Sequence, residues 1–181
     1  MYRASLLSLV GIAVVCASTG APIFAQNAAV APANAAKVDE RFMLKEEPAK
    51  AAGVIAVRNN AKDQQDVLVV GRIGGKKNPW IRGVAAFPIV DQSLKSCDQN
   101  GHNCPYPWDY CCSANLSKSM VLVIFADEKG EPIKKDAREL LGVKELDTVV
   151  VQGKARRDKA GNLVIMASKL HIHTDNEVAR R

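Results

Sequence analysis

Aromatic residues make up only 5% of this 181-residue chain, histidine occurs three times, and no cysteine lies outside the first twenty residues except in one stretch, 97–112. Each scarcity excludes something. With Phe87 and Phe125 the only aromatics in the central strand-like runs, and both set among aliphatic neighbours, a row of base-stacking platforms has no residues to build it. Ser93, Ser113 and Ser117 have no glycine-elbow context, no histidine stands as their base, and no phosphate-cradling glycine loop is present. The Cys-x-x-Cys pair of a dithiol redox enzyme is missing as well. These absences point to a non-catalytic module.

What is present begins with a leader. Arg3, an apolar run from Leu6 to Ala17 and a small-residue region ending at Ala25 read as a secretory signal peptide over 1–25. No later apolar run exceeds the seven residues 120–126, well short of the roughly 20 a spanning helix needs, so stable membrane insertion is not expected. Cys16 follows Val15, which does not suit a lipidated cysteine, so the expected location is the periplasm or cell envelope without an anchor. Residues 26–48 are Ala- and Pro-rich, then charged, and read as a disordered linker. Lys plus Arg number 25 against 19 acidic residues, a formal +6. That excess permits weak contact with a polyanion or glycan and demands neither.

From residue 49 to 175 the pattern is that of one small domain, with a short tail over 176–181. Pro48 and the spacing of Ala51, Ala52, Ile55 and Arg58 predict a helix over 49–59. Five strand-like runs follow, over 66–73, 81–90, 120–126, 148–156 and 163–173. Turn signals separate them, and Gly83 and Pro88 mark a bend in the second. Between the third and fourth, Asp136 to Leu141 reads as a short helix with Asp136 at its start and Gly142 at its end. The fold class expected is all-β with short helices.

This β-β-β-α-β-β order, with a glycine in a first strand reading DVLVVGRIGG, resembles the oligonucleotide/oligosaccharide-binding (OB) fold. In detail it is similar to small exported bacterial OB proteins, and CPYPWDYCC resembles the CPxPWDYCC motif of a secreted bacterial family. The resemblance implies a five-stranded Greek-key barrel with a cysteine-rich insertion, 97–112, between strands two and three. It names no ligand, since a fold does not fix function.

The stretch CDQNGHNCPYPWDYCC is too polar to order itself, so cross-links or an ion must hold it. A disulfide between neighbours Cys111 and Cys112 would be strained, because adjacent Cα atoms lie about 3.8 Å apart against the usual 4.4–6.8 Å. Two disulfides joining Cys97 and Cys104 separately to Cys111 and Cys112 are therefore the first expectation. A four-thiolate zinc or copper site is the alternative, although C-x6-C-x6-C-C departs from the C-x2-4-C spacing of structural zinc sites. No other cofactor is expected. The remaining candidates are polar or aromatic. Trp108 is expected to anchor the stretch on the barrel, or else to form an exposed rim with Tyr106 and Tyr110. Strand periodicity puts Gln152, Lys154 and Arg156 on one face of the fourth run and Lys169, His171 and His173 on one face of the fifth, a modest polar wall suited to an anionic or sugar-like ligand, or else a solvated outer face. His171, His173 and Asp175 share the spacing of a metal site, and His102 lies within the cysteine stretch.

Overall fold

A computed structural model describes residues 38–173; the leader, the first part of the linker, Asp175 and the tail lie outside the described residues. Six strands are present: β1 (Ala52–Gly53), β2 (Asp66–Ile73), β3 (Ala86–Val90), β4 (Met120–Phe125), β5 (Thr148–Arg157) and β6 (Leu163–Ile172). Two short helices, α1 (Val54–Asn60) and α2 (Ala137–Leu141), accompany them. The sheet runs β1-β2-β3-β4-β6-β5, and β5 returns to pair with β2 from Asp66↔Lys154 to Arg72↔Thr148. That pairing closes β2 to β6 into a five-stranded barrel. β4 and β6 are parallel, and the other barrel pairs are antiparallel.

Closure follows from alternation. In β4 every second residue, Val121, Val123 and Phe125, points inward and is buried. β5 does the same with Val149, Val151 and Ala155. A barrel hides its sheet edges, so these β-branched runs do not offer an unpaired ladder. The curvature needed is concentrated at a bulge between Gln152 and Gly153. A Cβ on Gly153 would sit 2.3 Å from the Met166 carbonyl oxygen and 2.8 Å from Ala167 Cα, so only glycine lets β5 and β6 approach there.

Four of the five expected strands lie where the hydrophobic pattern puts them, each within a residue at its ends. The second is shorter: residues 81–85 turn, with Gly83 at φ 72°, and the strand starts at Ala86. Ile81 is left 40% exposed and Trp80 becomes a core residue, stacked edge-on to Phe87 and donating its indole N–H to Glu145 at 2.6 Å. The first helix is also shorter than expected, and its buried face is Val54 and Val57 rather than Ala51, Ala52 and Ile55. The reason lies outside the segment, because Ala52 and Gly53 pair with Val69 and Val70 of β2 and hold the chain extended.

Both ends of α1 are satisfied by remote residues. At its start Gly53 offers no side chain, and Asp91 at the end of β3 accepts the Ile55 N–H at 2.8 Å. At its other end the Arg157 guanidinium donates to the carbonyls of Ala61 and Arg58, a cation on the negative end of a helix. By contrast α2 is capped locally, by Asp136 accepting from Arg138 N–H and by Gly142 in the left-handed region. The linker expectation needs correction over its last part. Glu40–Phe42 forms a 3-10 turn, Phe42 packs edge-on against Phe125 at 5.9 Å, and Leu44 N–H bonds the Leu170 carbonyl. Among the described residues no helix is long and apolar enough to cross a membrane.

Candidate metal centre

The connection from Asp91 to Ser119, between β3 and β4, holds its shape through turns rather than ladders. Asn100 N–H bonds the Ser96 carbonyl and Gly101 N–H that of Asp98, so the chain folds back after Cys97. The Cys97 backbone is fixed at both ends, its N–H on the Pro107 carbonyl and its own carbonyl on His102 N–H. A barrel residue pins this turn from below: Arg72 of β2 donates to Gln99 Oε1, which also accepts from Ser96 N–H. Pro107 opens a 3-10 turn through Asp109, a position that suits a residue with no N–H to satisfy.

Tyr110 then reverses the chain. It has φ 55° and ψ 30°, a left-handed conformation that costs a bulky residue about 1–2 kcal/mol. Ser113 N–H bonds the Tyr110 carbonyl at 2.9 Å, which makes Cys111 and Cys112 the two corner residues of a β-turn. At this corner the two neighbouring thiols turn toward the same side, their sulfurs 3.7 Å apart. The strained conformation is held because the Tyr110 ring is buried, 1% exposed, beneath Gly74. A Cβ on Gly74 would lie 2.5 Å from the Trp108 carbonyl oxygen and 3.0 Å from the Tyr110 ring.

These turns bring four sulfurs together. Cys111 Sγ lies 3.5 Å from Cys97 Sγ and 3.8 Å from Cys104 Sγ, and all four sulfurs fall within 4.8 Å of one another. Four thiolates at the usual zinc–sulfur bond of about 2.3 Å stand about 3.8 Å apart at the corners of a tetrahedron. A disulfide would need about 2.05 Å. The four cysteines are free, so the two-bridge staple expected from the sequence is not formed. Pairing each early cysteine with a different late one would need two separate contacts, whereas the turn places Cys111 against all three others. The cluster could hold a metal ion.

The protonation pattern of the bare cluster is uneven. Burial alone would raise the Cys97 thiol, but hydrogen bonds from Cys111, Cys104 and the backbone N–H groups of Cys112 and Cys111 outweigh it and hold its pKa below the ordinary value. Cys111 is pushed up to about 12, because its protonated thiol is held by hydrogen bonds to the sulfurs of Cys97, Cys112 and Cys104. Of Cys97, Cys104 and Cys111, negative charge therefore settles first on Cys97. A divalent cation among them would invert that balance. Exposure is also graded: Cys97 is buried, Cys104 half-buried, Cys111 and Cys112 exposed.

The other sequence candidates are scattered. The anchor of the stretch is Tyr110, not Trp108. Trp108 is half-buried, donates its indole N–H to the Lys77 carbonyl at 3.1 Å, and stands edge-on to Tyr106 at 5.9 Å. Lys77, which the sequence did not single out, places its ammonium 4.6 Å from the Tyr106 ring centre. The aromatic rim thus consists of Tyr106 and Trp108 without Tyr110. Burial raises the Tyr110 hydroxyl above its ordinary pKa, partly opposed by Arg72. Lys154 is paired with Asp66 at 2.8 Å across β2 and β5, while Arg156 and Lys169 are exposed. His171 lies against the Leu44 carbonyl, and His173 faces Glu47 at 3.5 Å. His102 is exposed. Among the described residues the only group of three or more metal-ligating side chains is the cysteine cluster. No protein-family model and no curated protein matches the chain.

Proposed function

We propose that this chain is an exported, non-catalytic barrel protein of the OB type that binds one zinc ion through Cys97, Cys104, Cys111 and Cys112. The observation that carries the metal reading is the set of sulfur separations around Cys111, 3.5, 3.7 and 3.8 Å, which match the edges of a tetrahedral four-thiolate site. An all-sulfur donor set favours zinc or copper(I) over the hard cations that prefer oxygen. Support for the OB reading comes from the strand order, with parallel β4 and β6 and with α2 between β4 and β5. The ion's role in this reading is to order a connection that has little apolar surface of its own, making metal binding part of folding.

The same reading gives the barrel a modest binding capacity. Arg156 and Lys169 on its wall, and Tyr106 and Trp108 beside Lys77, suit a glycan or polyanion bound weakly and with strong dependence on salt.

The deciding test is a paired count on purified mature protein. Zinc content and thiols reactive under denaturing, non-reducing conditions are measured on one sample. The proposal expects one zinc and four thiols, whereas no thiols and no metal would restore the two-disulfide reading.

A further inference from the structure

The cluster differs from a closed structural zinc site in one respect. A structural site has all four positions filled by the protein, but here that shell stands open to solvent: only Cys97 is buried, Cys104 is half-buried, and Cys111 and Cys112 are exposed. Resting on the zinc reading above, we propose that the site is an exchange site, passing its metal to and from sulfur ligands of other molecules through Cys112.

The path is set by how each ligand is held. Cys97 is the fixed point, buried and with its backbone bonded at both N–H and carbonyl. Cys111 is the hub, within 3.8 Å of every other sulfur. Cys112 is both exposed and the second member of an adjacent pair, so it gives up least when it lets go. The turn that carries it is closed by the Ser113 N–H to Tyr110 carbonyl hydrogen bond, which does not involve its thiol.

With the ion held by the four cysteines, an incoming thiolate would replace Cys112 in the shell, one sulfur bond forming as another breaks. Zinc stays divalent throughout, and no electron changes hands, so no oxidant or reductant is required. Repetition at Cys111 and Cys104 completes the transfer, with Cys97 released last.

The test uses the zinc-loaded full-length mature chain, with 4-(2-pyridylazo)resorcinol as the coloured acceptor and glutathione as the incoming thiol. The transfer rate should rise in proportion to glutathione concentration. A rate independent of both glutathione and acceptor overturns the inference while leaving the zinc reading intact. A chain that takes up no zinc fails the underlying reading instead. Two variants locate the path. Cys112→Ser should keep one zinc and release it faster than the parent chain does. Cys97→Ser should lose stoichiometric zinc. Equal loss of zinc from the two variants contradicts the assignment of Cys112 as the leaving ligand.

Discussion

Replacing Tyr110 separates the anchor of the cysteine connection from its neighbours. The ring is 1% exposed and lies against Gly74, whereas Trp108 is half-buried with its indole N–H on a loop carbonyl. Removing a buried aromatic ring costs about 3–5 kcal/mol. Tyr110→Ala should therefore lower Tm by on the order of 10 °C, at roughly 2–4 °C per kcal/mol for a chain of this size. Trp108→Ala should cost less than half as much. A third variant exploits the backbone: at φ 55° glycine avoids the left-handed penalty, so Tyr110→Gly should be more stable than Tyr110→Ala by about 1 kcal/mol. Urea unfolding of the three variants with zinc bound gives the ranking. If Trp108→Ala is the most damaging, or if Gly is worse than Ala at position 110, the account of how the connection is seated is wrong.

Asp91→Ala leaves the first N–H groups of α1 without their acceptor and should cost about 1–2 kcal/mol, a typical loss for an N-cap carboxylate, measured by urea midpoint. The cost should depend on pH. Burial alone would raise the Asp91 pKa, but bonds from Ile55 and Ser93 outweigh it and hold the folded value below the ordinary one. Its stabilisation is thus complete above the unfolded pKa of about 3.9 and fades as pH falls through the lower folded value, so wild type and variant should converge in acid. Gly153→Ala drives a methyl into backbone atoms of β6 and should cost about 1–3 kcal/mol, read from the same titration. Single-stranded DNA binding, followed by fluorescence anisotropy, should collapse as salt rises. Submicromolar affinity that persists at physiological salt and is lost in a Phe87→Ala variant that stays folded would contradict the placing of Phe87 in the core.

The barrel was legible because its strands are period-two or continuous aliphatic runs bounded by glycine and aspartate turns. The 66–73 and 120–125 segments have no competing pattern. Long-range partners were not legible. Nothing within 49–59 reveals that Ala52 and Gly53 pair with β2, that Asp91 caps the helix from 36 residues away, or that Arg157 closes its far end. The cysteine site was half legible. Composition shows that 97–112 needs an external restraint, but choosing between bridges and an ion depends on the turn at Cys111 and Cys112. That turn requires a left-handed Tyr110, which sequence preference disfavours and which the burial of its ring enforces. Lys77 was missed for a similar reason, since its nearness to Tyr106 comes from the docking of two loops.

X-ray absorption at the zinc edge of the loaded protein bears most directly on the metal assignment, because it counts the sulfurs around the ion. The account predicts a single shell of four sulfur scatterers at about 2.3 Å. A shell dominated by nitrogen or oxygen, or one with two sulfurs or fewer, would contradict it.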